Sequence, residues 1–195
     1  MDSTKNDRSP GRPRNPEVER RILEVTLEQL ADLGYNRMSL DSIADQAGAS
    51  KPTIYRRWSN KADLATAAIS TLRLNEPPVE TGSTEGDLTG VLQNFRKSLL
   101  RPNGMALIGT VLVEEGHTPE LLELFRDRVV KPRREMLREI LERARAKGEL
   151  RSDADIESAI HMMVGSFYAH YMVNPRLPHD FVERIVKSVW EGISR

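Results

Sequence analysis

The sequence predicts an all-α protein of about nine helices. Three observations carry that prediction. Apolar residues recur at helical spacing along most of the chain, and no segment alternates with the period of two that a half-buried strand requires. Alanine, leucine, glutamate and arginine are abundant while aromatics are only 5% of residues, a mixture that suits helices better than sheets. Glycine and proline fall between the periodic stretches, where helices have to stop.

Residues 1–15 are polar and hold Pro10, Gly11 and Pro13, which predicts a disordered basic arm. Within it, Gly11-Arg12-Pro13-Arg14 is similar to the core of an AT-hook. Arg12 and Arg14 on a proline-stiffened backbone suit a narrow A·T minor groove. A merely solubilising tail is the other reading of the same residues.

The first helix is expected from about Pro16 to Leu33, with Val18, Ile22, Val25, Leu27, Leu30 and Leu33 on its inner stripe and Gly34 as its stop. Ser39 to Trp58 then reads as two short helices around a tight turn. Ser39 is a good N-cap, and Leu40, Ile43, Ala44 and Ala47 make an apolar face. Gly48 can take a positive φ and end that helix. Ser50 caps the next one, and Pro52 falls in its first turn, where a missing N–H costs nothing. This second helix presents Lys51, Thr53, Tyr55, Arg56 and Arg57, while Ile54 and Trp58 can turn inward. A short helix, a glycine turn and a second helix with basic and hydroxyl tips is the helix-turn-helix pattern of DNA readers. Arg37 and Ser39 lie at the mouth of its first helix, where a hydroxyl and a helix N-terminus suit a phosphate. A further helix starts after Asn60, which caps it, with Asp63 three residues on. Lys61 in that first turn opposes the helix dipole unless a phosphate lies near.

Net charge is zero, 29 basic against 29 acidic residues, so the chain is not coated in positive charge. The charge is segregated. Lys51 to Lys61 contains four basic residues and no acid, while acids dominate Glu76 to Asp87. The local field is what a nucleic acid meets, and the basic part coincides with the two-helix motif.

Asn75 to Gly86 has two prolines, two glycines and no periodicity, and it is the candidate domain boundary. The expected organisation is the arm at 1–15, a helix-turn-helix DNA-binding domain at 16–75, and an effector-binding and dimerisation domain at 76–195. In the last part, helices are expected at about 87–100, 105–115, 118–147, 153–172 and 178–193. The second of these is nearly all apolar and reads as buried. Pro132 should kink or split the third.

The spaced residues Ile43-Ala44, Ala47-Gly48, Ser50, Ile54-Tyr55, Trp58, Lys61 and Leu64 closely resemble the signature of TetR/AcrR-type transcriptional regulators, over residues 16 to about 72. Trp58 stands where phenylalanine is commoner, and Pro52 is a less usual residue at its position. The resemblance implies a sequence-specific DNA-binding regulator, usually a repressor, that acts as a homodimer on a pseudo-palindromic double-stranded operator and is released by a small-molecule effector. It implies DNA contacts from Ser50, Thr53, Tyr55 and Arg56 of the second motif helix, with Arg56 on a guanine, and phosphate contacts from Arg37, Ser39, Lys51 and Lys61. Tyr55 as a packed core aromatic is the competing reading. The implied dimer face lies on the last two helices, where Ile160, Val164, Phe181, Ile185, Val189 and Ile193 are the candidates.

Soft methionine and aromatic walls suit a small apolar or aromatic effector. Candidate pocket residues are Met105, Ile108, Leu112, Phe125, Met136, Met162, Phe167, Tyr168 and Tyr171, each of which could equally be core. A cavity of a few hundred Å³ would mark a sensor, and a filled domain an architectural DNA-binding protein without effector, the alternative function. An enzyme is not indicated, since there is no glycine-rich phosphate loop and no G-x-S-x-G. No cofactor is called for, and no metal either, because His161 and His170 fall on opposite faces of one helix and there is no cysteine. The absence of cysteine and of an apolar run long enough for a membrane span fits a cytoplasmic location.

Overall fold

The chain was analysed as a computed structural model, which describes residues 16–73 and 79–195. The arm with Arg12 and Arg14, and the expected divide between residues 75 and 76, lie outside them. Among the described residues every regular element is helical, apart from one isolated antiparallel bridge between Leu150 and Ser194. The helices are α1 (Pro16–Arg37), α2 (Leu40–Ala47), α3 (Lys51–Tyr55), α4 (Lys61–Ser70), α5 (Thr84–Leu100), α6 (Gly104–Val113), α7 (Pro119–Phe125), α8 (Lys131–Ala146), α9 (Ile156–Val173) and α10 (Phe181–Ile193). None is long and apolar enough to cross a membrane.

The expected break at Gly34 is a kink inside α1. Gly34 takes φ 75 and ψ 170, and one more turn follows it before α2. The expected single helix at 118–147 is α7 and α8 joined by a π-helical turn, Arg126–Val130. In an uninterrupted α-helix, residue 132 would donate to the carbonyl of Arg128, which Pro132 cannot do. The widened turn, closed by Lys131 N–H on the Arg126 carbonyl, carries the chain past the proline without ending the helical run. Counting α7 and α8 as one rod gives nine rods among the described residues.

Two hydrophobic cores result. One joins α1–α4, through Ile22, Ile43, Ile54 and Leu64, with Leu107 and Val111 of α6 and with Leu121 and Phe125 of α7. The other joins α5, α8, α9 and α10 through Leu92, Leu141, Phe167 and Val186. The first core therefore extends past the helix-turn-helix into the C-terminal half.

Two expectations about faces are corrected. Leu33 is exposed, because the kink at Gly34 takes the end of α1 away from the core. The all-apolar α6 is buried on one side only: Leu107 and Val111 face the core, but Ala106, Gly109, Leu112 and Val113 are exposed.

Candidate nucleic-acid interface and internal cavity

The motif is assembled by local hydrogen bonds. The Ser39 hydroxyl accepts from Ser42 N, and Ser39 N donates to Gln29 Oε1 at 3.2 Å. Gln29 Nε2 donates to the Ser42 hydroxyl at 2.8 Å. Gln29 is buried on α1, so one amide pins the start of α2 to the preceding helix. Sequence reasoning overlooked it, although a glutamine on the inward stripe of an amphipathic helix is the signal. Gly48 takes φ 63 and ψ 35, and its N–H reaches the carbonyls of Ala44 and Asp45. A left-handed residue there ends α2 within one position and lets the chain turn into α3.

α3 has only five residues, too short to stand alone. It is held from below, where Ile54 and Trp58 are buried in the first core. Arg57 adds a strut, with Nε 3.3 Å from Glu19 Oε2 of α1 and Nη1 donating to Thr53 O at 3.2 Å. The outward side then carries Ser50, Lys51, Tyr55 and Arg56, all exposed, with Thr53 half-buried beside them. Tyr55 is 53% exposed and so is not a core aromatic. Ser50 occupies the N-cap position but makes no capping bond to the backbone. Its hydroxyl lies 3.0 Å from that of Thr53 instead. Lys51 Nζ is 2.5 Å from Asp41 Oδ1 of α2, a pair open to solvent.

Arg37 is exposed at the end of α1, where its Nε donates to Leu33 O at 3.0 Å. Lys61 is half-buried. Its ammonium donates to Asn36 O at 3.1 Å and lies over the Tyr35 ring, 4.7 Å from the centroid. Burial holds the Lys61 pKa below the usual lysine value, against the pull of Glu114. The structure thus gathers Ser50, Lys51, Thr53, Tyr55 and Arg56 on one helix, places Arg37 and Ser39 at the mouth of α2, and ties Lys61 to the α1–α2 link.

α4 joins this surface to the other half. Asn60 accepts from Asp63 N at 2.8 Å, as an N-cap should. Asp63 Oδ2 accepts from both N and Oγ of Ser59, which follows the recognition helix. On its other side, Asp63 Oδ1 is 2.6 Å from Nη1 of Arg128 in the π turn. The same Nη1 donates to Asp63 O and to the Thr66 hydroxyl, each at 3.1 Å. Two further hydrogen bonds cross the seam, from Asn36 to Glu114 at 2.6 Å and from Asn60 to Glu120 at 2.9 Å. None of these long-range pairs has a signal in sequence spacing.

Between the halves lies a cavity of about 60 Å³. Ile69 of α4 and Leu72 of the 3₁₀ turn after it (Thr71–Arg73) form one wall, Val129 and Val130 of the π turn another, and Phe95, Leu107 and Tyr168 close it. It is well below a few hundred Å³, so anything larger than the cavity must displace a wall.

Of the nine candidate pocket residues, Ile108, Phe125 and Tyr168 line this cavity. The other six do not. Leu112, Met162 and Tyr171 are exposed because their helix faces point to solvent. Phe167 is fully buried between the rings of Phe95 and Phe181, at centroid distances of 4.8 and 5.0 Å. Met136 borders a separate, more open groove of about 440 Å³ between α5 and α8, beside Glu80 and Arg143. Met105 packs on the second core. The dimer-face candidates are placed as follows. Ile160, Phe181, Val189 and Ile193 are buried within the chain itself, where α10 packs against both α5 and α9. Val164 lines the cavity, and Ile185 is half-buried.

Comparison with known proteins gives the following. Residues 22–68 match the family model of bacterial regulatory proteins of the tetR family, and residues 78–189 match a tetracyclin repressor-like C-terminal domain. The chain is 32% identical over 188 residues to the HTH-type transcriptional regulator YdeS of Bacillus subtilis, covering 94% of this chain and 93% of that protein. It is 33% identical over 175 residues to the DNA-binding transcriptional repressor TetR of Mycobacteroides abscessus, covering 86% and 89%. Among solved structures it resembles the TetR family transcription regulator SCO0332, with TM-score 0.65, 26% identity, and coverage of 90% of this chain and 98% of that one. The regulator FadR from Bacillus subtilis, solved in complex with stearoyl-CoA, shares the fold with TM-score 0.68 at 23% identity, covering 89% and 96%.

Proposed function

The chain belongs to the TetR family of DNA-binding transcriptional regulators, and from that premise we propose that it is a repressor which leaves its operator when a small molecule occupies its C-terminal half. The observation that carries the DNA-reading part is the two-sidedness of α3. Ile54 and Trp58 hold it from within, and Lys51, Tyr55 and Arg56 stand clear on the outside. Arg56 carries the base contact, two N–H groups to O6 and N7 of a guanine, while Thr53 and Tyr55 flank it in the major groove. Ser39, Ser50, Lys51 and Arg37 take phosphates. Lys61 joins them by sharing the ammonium that now rests on Asn36 O. Arg12 and Arg14 extend the contact into the minor groove.

The active form is a homodimer, which acts in the cytoplasm. The face of α9 that carries Met162, Gly165, Ala169 and Met172 supports this reading. These residues recur at helical spacing, all are exposed, and a Cβ placed on Gly165 would meet nothing within 4 Å. Small residues in the middle of an apolar stripe let two such helices approach closely. The effector is a small apolar or aromatic molecule, consistent with the apolar walls of the cavity and with its position against α4. It releases DNA to the extent that it binds more tightly to the protein whose two recognition helices are wrongly spaced.

Genomic footprinting tests this reading. The bound sites should share a pseudo-palindrome with half-sites about one DNA turn apart, roughly 34–36 Å, or a multiple of it. Sites without two-fold symmetry would exclude the homodimeric repressor.

A further inference from the structure

The cavity says what kind of molecule it takes. Its described lining holds two cations. Arg134 forms an ion pair with Glu157 at 2.8 Å, and Arg133 lies over the Phe95 ring, 4.6 Å from the centroid. The Ser98 hydroxyl donates to Asn94 O at 3.2 Å. Tyr168 differs. It packs its ring against Phe95 at 6.1 Å, yet its hydroxyl makes no hydrogen bond to any described residue. Burial raises the Tyr168 pKa above its ordinary value, although the nearby Arg133 pulls it the other way. At neutral pH the group is therefore a protonated O–H, a donor on a residue that lines a largely apolar space.

We infer that the cavity binds an uncharged, largely apolar molecule with one carbonyl-type oxygen, which accepts a hydrogen bond from the Tyr168 hydroxyl. This rests on the reading of the C-terminal half as a sensor. A carboxylate would have to give up its hydration inside a largely apolar wall whose Arg134 is already paired with Glu157, which is unfavourable. A neutral ketone, ester or lactone gives up little and satisfies the tyrosine. Size adds a consequence. A water-sized group needs about 10–15 Å³ of such space, so about 60 Å³ takes roughly four to six of them. A longer ligand has to move Ile69 of α4 and Leu72 in the turn after it, and α4 is the helix that Asp63 fastens to Ser59 at the end of the DNA-reading surface.

The test uses the full chain and three probes with equal numbers of heavy atoms: 2-heptanone, hexanoate and 2-methylheptane. Binding is followed by ligand-observed NMR at neutral pH, on the parent protein and on Tyr168→Phe, which keeps the ring. The ketone should bind about tenfold or more tightly than hexanoate, and Tyr168→Phe should weaken it about tenfold while leaving 2-methylheptane unchanged. Hexanoate binding as tightly as the ketone, a ketone indifferent to Tyr168→Phe, or failure of all three probes would each overturn the inference. DNA affinity is measured on the same samples with a footprinted site. A ketone that binds through Tyr168 without weakening DNA binding upholds the ligand class and removes the sensor reading. Release by hexanoate does the reverse.

Discussion

The outer face of α3 and the cavity behind α4 lie at two ends of one core, but they are built in opposite ways. α3 is a rigid display: its inner side chains are locked, its outer ones are free, and its turn is set by one left-handed glycine. The cavity is a shared gap, with walls drawn from α4 and the turn after it, α5, α6, α7, the π turn, α8 and α9. The display is complete before DNA arrives, whereas the gap is smaller than any sizeable ligand and has to be opened. On the proposed function, a preformed reader is joined to a yielding sensor, since opening the gap displaces a helix that belongs to the reader's core.

The sharpest way to break this comparison is to remove what locks the display. Trp58→Ala should cost about 3–5 kcal/mol of stability, measured by urea unfolding, because a fully packed aromatic is replaced by a void. A small loss would mean that α3 is held by something other than its inner side. The next largest effect is on the proposed spacing of two readers. Gly165→Glu should weaken dimerisation about a hundredfold or more in analytical ultracentrifugation, because an unpaired carboxylate at an interface costs about 3 kcal/mol or more. The monomer itself should keep its stability, since position 165 is open.

The seam between reader and sensor should respond more mildly. Burial alone would raise the Asp63 pKa, but the Ser59 amide, the Arg128 guanidinium and the Ser59 hydroxyl outweigh it and hold the carboxyl below its usual value. A depressed carboxylate contributes stability above the unfolded pKa of about 4, and that contribution is lost as pH falls through the folded value. Asp63→Asn should therefore cost on the order of 1 kcal/mol at neutral pH and flatten the fall in stability below about pH 4. An unchanged acid limb would mean that the Arg128 link is idle. The smallest effect separates two serines. Ser39 makes a capping bond and Ser50 does not, so Ser39→Ala should cost about 1 kcal/mol and Ser50→Ala only a few tenths.

The same contrast explains what could be read from the sequence. Ser39, Gly48 and Asn60 are recognisable because a cap or a left-handed turn involves residues within four positions of one another, and the structure has all three bonds. Ile54 and Trp58 were legible for the same reason, as inward residues one turn apart. The cavity was not. Choosing methionines and aromatics by type selected Met162 and Tyr171, which their helix faces expose, and passed over Ile69 and Leu72, which α4 and the turn after it carry into the gap. Pro132 announced a disturbance, but whether it would kink or widen the helix depended on the packing of Val129 and on Arg128 reaching α4.

The central claim is that Arg56 on α3 reads a base within a two-fold site, and selection of bound sequences from random duplex DNA tests it most directly. The parent protein should enrich an inverted repeat with a guanine at one fixed position of each half. Arg56→Ala should lose that guanine, about 1–3 kcal/mol of discrimination, while keeping the rest of the repeat and its thermal stability. An Arg56→Ala protein that selects the same sequence would contradict the account.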